Sequence, residues 1–140
     1  MNDSYVELHV PDFDIAKDFY CKLGFEVVWE KRPSDKLRAW YLVMKRESCF
    51  VCFWPGNQEV ENQTYFKNFP ANTKKGYGVE IIFPVSDIDG LYELAKTFAN
   101  IVGELKVRHF GKKDFRLEDP FGYYLRFTEP YDILDLDKKS

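Results

Sequence analysis

The sequence predicts an α+β fold made of two tandem modules, each a β-α-β-β-β run. Three observations carry that prediction. The stretch Tyr77 to Asp89 repeats the stretch Tyr5 to Asp14. After each copy the apolar spacing changes from that of a strand to that of a helix. Each helical stretch is then followed by three strand-like runs. Aligning Asp12 with Asp87 sets Val10 on Val85, Phe13 on Ile88, Asp14 on Asp89 and Tyr5 opposite Glu80. A duplicated module makes a pocket between its copies, so the residues on the matched strands are the first candidates for function.

Tyr5 to Val10 alternates as a strand, with Val6, Leu8 and Val10 on one face and Tyr5, Glu7 and His9 on the other. Pro11 ends it, and Asp12 or Asp14 caps a helix. Ile15, Ala16, Phe19, Tyr20 and Leu23 form that helix's apolar stripe. Gly24 suits the left-handed residue after its end. Strands are expected over Phe25 to Glu30, Leu37 to Lys45 and Cys49 to Trp54, with turns at Lys31 to Asp35, Arg46 to Ser48 and Pro55-Gly56.

The connector from Asn57 to Lys75 is polar but carries Val60, Tyr65, Phe66 and Phe69. A short helix around Glu61 to Asn68 is expected, because a structureless connector of that length is unusual in a compact domain. Its aromatics either pin it over a groove or patch the core. The second module starts with a strand at Gly78 to Val85. Its helical stripe is Ile88, Leu91, Tyr92, Ala95 and Phe98, ended by Asn100. Strands follow at Ile101 to Phe110, Lys113 to Glu118 and Tyr123 to Thr128. Asp119-Pro120-Phe121-Gly122 is the turn before the last. The expected organisation is one domain over 1–140, with modules at about 5–55 and 77–130, the connector at 56–76 and a tail at 131–140.

Composition narrows the partners. A net charge of −3 lacks the basic footprint that nucleic acid requires. No apolar run approaches a membrane span and the first residues do not begin a signal peptide, which predicts a cytoplasmic protein. Aromatic residues are abundant, at 18%, and a small domain places them in its core or in a ligand pocket. The cysteines number three, an odd count that does not suggest a disulfide framework. Cys49 and Cys52 match C-x-x-C, but on a strand residues three apart point to opposite faces. They read as small buried thiols.

Two consecutive strand-helix-three-strand units resemble the vicinal oxygen chelate superfamily, the group of glyoxalases, bleomycin-resistance proteins and extradiol dioxygenases. The residues that carry the resemblance are Val10 to Ala16 with Phe19-Tyr20 and Leu23 to Phe25, then Val79 to Asp89, then Glu118 to Phe127. It implies that each module curls its mixed sheet into half of a barrel-like cleft. It also implies metal ligands, usually His, Glu or Gln, at four matched positions in the first and last strand of each module. Here those positions are Tyr5, Cys52, Glu80 and Arg126.

That set departs from the metal pattern. Neutral Tyr5 is a poor ligand, Cys52 lacks a companion, and Arg126 has only donors and stays protonated. A catalytic metal site needs about three protein ligands and an open position. Glu80 is the best candidate if a metal binds. Glu80 and Arg126 are instead expected to face one another as a charge-assisted pair. That pair is either structural or leaves Arg126 donors for an anionic or carbonyl-bearing ligand.

Glu7 and His9 look into the first half of the implied cleft, as substrate hydrogen-bonders, as an acid-base pair or as a satisfied polar cluster. Phe50 and Trp54 share a face with Cys52, and Tyr124 shares one with Arg126. Such walls fit a flat ligand or simply fill the core.

The leading expectation is a metal-free small-molecule binding protein without a cofactor, similar to the bleomycin-resistance branch and acting as a homodimer. The alternative is a metal-dependent glyoxalase-like lyase or isomerase, or a dioxygenase, in which a divalent metal polarises substrate oxygens. A metal-free isomerase or lyase using His9 and Glu7 is a third reading.

Overall fold

A computed structural model describes residues 4–32, 40–55 and 64–134. The chain divides into two units, Met1–Thr73 and Lys74–Ser140. Unit 1 runs β1 (Val6–Val10), α1 (Phe13–Lys22), β2 (Glu26–Lys31), β3 (Tyr41–Arg46), β4 (Cys49–Pro55) and a 3-10 turn at Phe66–Asn68. Unit 2 runs β5 (Ile81–Pro84), α2 (Ile88–Ala95), β6 (Asn100–Val107), β7 (Lys113–Glu118) and β8 (Tyr124–Thr128).

Each unit is one four-stranded mixed sheet, in the orders β1-β4-β3-β2 and β5-β8-β7-β6. The first strand pairs in parallel with the last, and the other pairs are antiparallel. The registers match residue for residue. Glu7 pairs with Cys52 as Ile82 pairs with Arg126, and Leu8 with Phe53 as Phe83 with Phe127. Val43 pairs with Cys52 as Arg116 pairs with Arg126. The repeat seen in the sequence is thus a repeat of sheet geometry, and it makes Tyr41 and Asp114 counterparts.

The helix-side face of each sheet carries the core. In unit 1, Leu8, Val10, Leu42, Met44, Val51 and Phe53 are buried with Phe13, Ala16, Phe19 and Tyr20 of α1. Tyr20 meets Phe53 and Phe25 edge-on at 5.1 and 5.5 Å. In unit 2, Phe127 stacks on Phe115 at 5.4 Å and lies 5.4 Å from Phe83, while Tyr92 of α2 covers Phe115 at 5.1 Å. Each fully buried aromatic or aliphatic side chain contributes about 1.5–3 kcal/mol by leaving water.

Local chemistry sets the ends of the elements. Asp12 is the cap of α1, its carboxylate accepting from the amides of Asp14 and Ile15. The helix closes on a Schellman motif: Phe25 N–H donates to the Tyr20 carbonyl and Gly24 N–H to that of Cys21. Gly24 takes φ +91°, and Arg46 Nε donates to the Leu23 carbonyl at 2.9 Å. The turn before β8 is built on Asp119, whose side chain accepts from the amides of Phe121 and Tyr123, with Gly122 at φ +97°.

Several expectations are corrected. Ile15 is 46% exposed, and Phe13, two residues earlier, takes its place on the buried stripe. Asn100 does not end a helix: α2 stops at Ala95, turns through 96–99, and Asn100 opens β6. The strand expected over Gly78 to Val85 is only Ile81–Pro84, because 75–78 form a turn with Gly76 and Gly78 at positive φ. The strand expected to run to Phe110 ends at Val107. Of the connector helix, the described part is the 3-10 turn Phe66–Asn68, and 57–63 lie outside the described residues. So do the start of the strand expected from Leu37 and most of the tail.

Candidate functional site

Sheet alternation gives each unit a second face, turned away from its helix. On unit 1 that face carries Glu7 and His9 from β1, Tyr41, Val43 and Lys45 from β3, and Phe50, Cys52 and Trp54 from β4. His9 Nε2 lies 3.3 Å from Glu7 Oε2. Its ring is packed by Trp54 at 5.0 Å and by Phe66 of the 3-10 turn at 5.4 Å. The Tyr41 hydroxyl meets both Glu7 and Cys52. Burial, then the hydrogen bonds to these two, raises its pKa well above the ordinary phenol value. Burial also raises Cys52, against a lowering by its bond to Tyr41. This face therefore holds a neutral phenol and a neutral thiol beside a carboxylate. Tyr5 stands just before β1 and is 68% exposed.

The corresponding face of unit 2 is built from charge. Asp114 on β7 is fully buried. It makes ion pairs with Arg108, with Arg116 Nη1 at 3.3 Å and with Arg126 Nη1 at 3.7 Å. Glu80, just before β5, accepts from Arg116 Nε at 2.6 Å. Burial opposes the Arg116 charge, but the bond to Glu80 and the fields of Asp114 and Glu80 outweigh it and raise the guanidinium pKa. Tyr124 lies on the same face, and Arg126 Nη2 donates to the Tyr131 hydroxyl at 3.3 Å.

The expected Glu80–Arg126 pair is thus only half right. Arg126 Nε stands 3.9 Å from Glu80, inside ion-pair range but beyond a hydrogen bond, and the bonded partner is Arg116. Phe50, Cys52, Trp54, Glu7 and His9 do share one face, and Glu80, Tyr124 and Arg126 another. Sequence reasoning missed Tyr41, Arg108, Asp114 and Arg116. The signal for two of them was present: Asp114 and Arg116 alternate with the apolar Phe115 and Leu117, which places them opposite the core.

The family model described as glyoxalase/bleomycin resistance protein/dioxygenase superfamily matches residues 4–127. The chain belongs to that superfamily. No curated protein matches the sequence. Solved structures share the superfamily fold at low identity. A bleomycin-binding protein complexed with bleomycin is 19% identical at a TM-score of 0.59, over 94% of this chain and all (100%) of that one. A hypothetical protein of S. aureus is 21% identical at 0.68, over 93% and 95% of the two chains. A glyoxalase family protein of Enterococcus faecalis is 25% identical at 0.62, over 91% and 97%.

The four positions at which metal-dependent members of the superfamily are expected to hold their ion do not fit one here. Arg126 offers only N–H donors, Glu80 is committed to Arg116, burial raises the Cys52 thiol, and Tyr5 stands exposed just before β1. Among the described residues no cluster of three or more His, Cys, Asp or Glu side chains could close around an ion. No helix among them is long and apolar enough to cross a membrane.

Proposed function

We propose that this chain is a metal-free small-molecule binding protein of the superfamily, whose ligand lies on a sheet face turned away from the helix. The observation that carries the reading is Arg126. The resemblance assigns it to a ligand position of the metal-dependent members, and its side chain is 14% exposed with carboxylates 3.7 and 3.9 Å away. A buried cation among carboxylates repels a divalent ion and supplies none of the electron pairs that one needs. Unit 1 by itself offers a flat ligand an aromatic wall, the pair Trp54 and Phe66 around His9. The reading includes a cytoplasmic homodimer, which sedimentation at several concentrations tests.

The decisive experiment is calorimetric titration of metal-stripped protein with nickel, zinc, manganese and iron(II). The expected result is no specific binding. Tight binding of one ion per chain, lost in Glu80→Ala, overturns the proposal and favours the metal-dependent lyase or dioxygenase reading. Tryptophan fluorescence then screens small molecules, with Trp54 as the reporter on the unit 1 face.

A further inference from the structure

We infer that the face of unit 2 turned away from its helix is an oxyanion site, which takes the carboxylate or phosphate group of a small molecule on Arg126. The inference rests on the reading of a metal-free binder and names the chemical class of its ligand.

Charge balance is the first argument. The guanidinium groups of Arg108, Arg116 and Arg126 surround the carboxylates of Glu80 and Asp114, three positive charges against two negative. Three carboxylates around the cluster have lysine partners of their own, Glu118 with Lys74 at 2.6 Å, Glu104 with Lys106 at 3.6 Å and Asp89 with Lys113 at 3.1 Å, while Glu129 accepts from the Lys113 amide at 2.6 Å. Within the five-residue cluster itself one positive charge is left over, and its arginine side chains are only 14–26% exposed. A half-buried excess charge is costly until an anion joins it.

Donor accounting points to Arg126. A guanidinium carries five N–H donors. Arg116 spends Nε on Glu80 and Nη1 on Asp114, and Arg108 spends Nε on Asp114 and Nη2 on the Glu104 carbonyl. Arg126 makes one hydrogen bond, through Nη2 to Tyr131, and its buried Nε has none among the described residues. Asp114 Oδ2 likewise has no hydrogen bond and faces Arg126 Nη1 at 3.7 Å. Arg126 is therefore drawn toward two carboxylates yet bonded to neither. A fork of free donors matches the planar carboxylate and the phosphate oxygens alike. Tyr124 and Tyr131 stand beside it, so the organic part of the ligand meets aromatic surface. A cationic ligand is disfavoured on this face.

The test uses the metal-stripped full chain with benzoate, phenyl phosphate and the uncharged isostere benzamide. Calorimetry reads affinity and NMR reads the Arg126 Nε–H resonance. The expected result is that one or both anions bind, more weakly as salt rises, and shift that resonance while benzamide does not. The stronger of the two anions identifies the group. Arg126→Gln should weaken binding roughly tenfold or more, the effect of losing a charge-assisted bond. Arg126→Lys, which keeps the charge and loses the fork, should fall between. Thermal melts establish that each variant is folded, and where Arg126→Gln is not, the wild-type resonance and Arg126→Lys decide. Benzamide binding as well as benzoate, an unchanged affinity in folded Arg126→Gln, or no anion binding at millimolar concentration overturns the inference. Metal-free binding of neutral or cationic molecules alone would leave the binding-protein reading standing. Binding that appears only after metal is added would remove both.

Discussion

Arg116 and Arg126 are direct partners across β7 and β8, so two guanidinium groups stand side by side on one sheet face. Like charges in that position destabilise a strand pair. Here Glu80 and Asp114 hold them together: Glu80 bonds to Arg116, and Asp114 contacts both. The sheet of unit 2 therefore depends on carboxylates that contribute nothing to its apolar core.

Asp114→Ala is expected to be among the most damaging single substitutions in the chain. It leaves three guanidinium groups with one carboxylate in a largely desolvated setting. Removing one partner of a buried ion pair costs about 3–5 kcal/mol. Urea denaturation measures it. A loss below about 1 kcal/mol, the range of an ordinary substitution, would show that the cluster is solvated and its charges independent.

The modules were legible because strand alternation, helix stripes and turn residues agree at each step. Lys113–Glu118 came out as written, and the Schellman end at Gly24 and the Asp119 turn followed from residues with few other uses. Ile15 misled because it keeps helical spacing with Phe19, although Phe13 lies closer to the centre of the buried face. Partner choice in the site was not legible. Glu80 lies within reach of two arginines, and strand alternation alone does not say that its carboxylate bonds Arg116 on β7 rather than Arg126 on β8.

Tyr41 gives an alkaline signature. Burial and the bonds to Glu7 and Cys52 raise its pKa in the folded protein. An unfolded tyrosine titrates near about 10. Above that pH the unfolded chain has released this proton and the folded chain has not, so the folded state binds more protons and stability falls as pH rises. The contribution is complete below about pH 10 and is lost progressively above it. Stability against pH should therefore slope less steeply in Tyr41→Phe than in the wild type. Cys49 and Cys52 slope the same way, and because the bond to Tyr41 lowers Cys52, the comparison is made in a Cys52→Ala background, where the difference reports Tyr41. Parallel curves would contradict the hydrogen-bonded phenol.

The thiols should differ in reactivity. Cys21 lies on the exposed side of α1, whereas Cys52 is buried with its pKa raised, and burial raises Cys49 as well. The thiolate is the reactive form. A disulfide reagent at neutral pH should label Cys21 first, and the fast phase should vanish in Cys21→Ser. All should react together in denaturant. Fast labelling of Cys52 in the folded protein would mean that the Tyr41 contact opens readily.

Asp87 and Gly90 form the second helix's start and are coupled. The Asp87 carboxylate accepts from the Gly90 amide at 3.0 Å, and a Cβ on Gly90 would lie 2.3 Å from Asp87 Oδ2. Glycine to alanine in a helix ordinarily stabilises by about 1 kcal/mol. In Gly90→Ala, however, the carboxylate must swing away, and losing a cap costs about 0.5–2 kcal/mol. The single variant should therefore be neutral or destabilised. In an Asp87→Ala background, where no cap remains to displace, Gly90→Ala should recover the ordinary gain. Urea midpoints of the four proteins complete a double-mutant cycle, and the two changes should couple rather than add. Additivity would mean that Asp87 finds another rotamer that still caps α2, and that Gly90 is not there to admit the carboxylate.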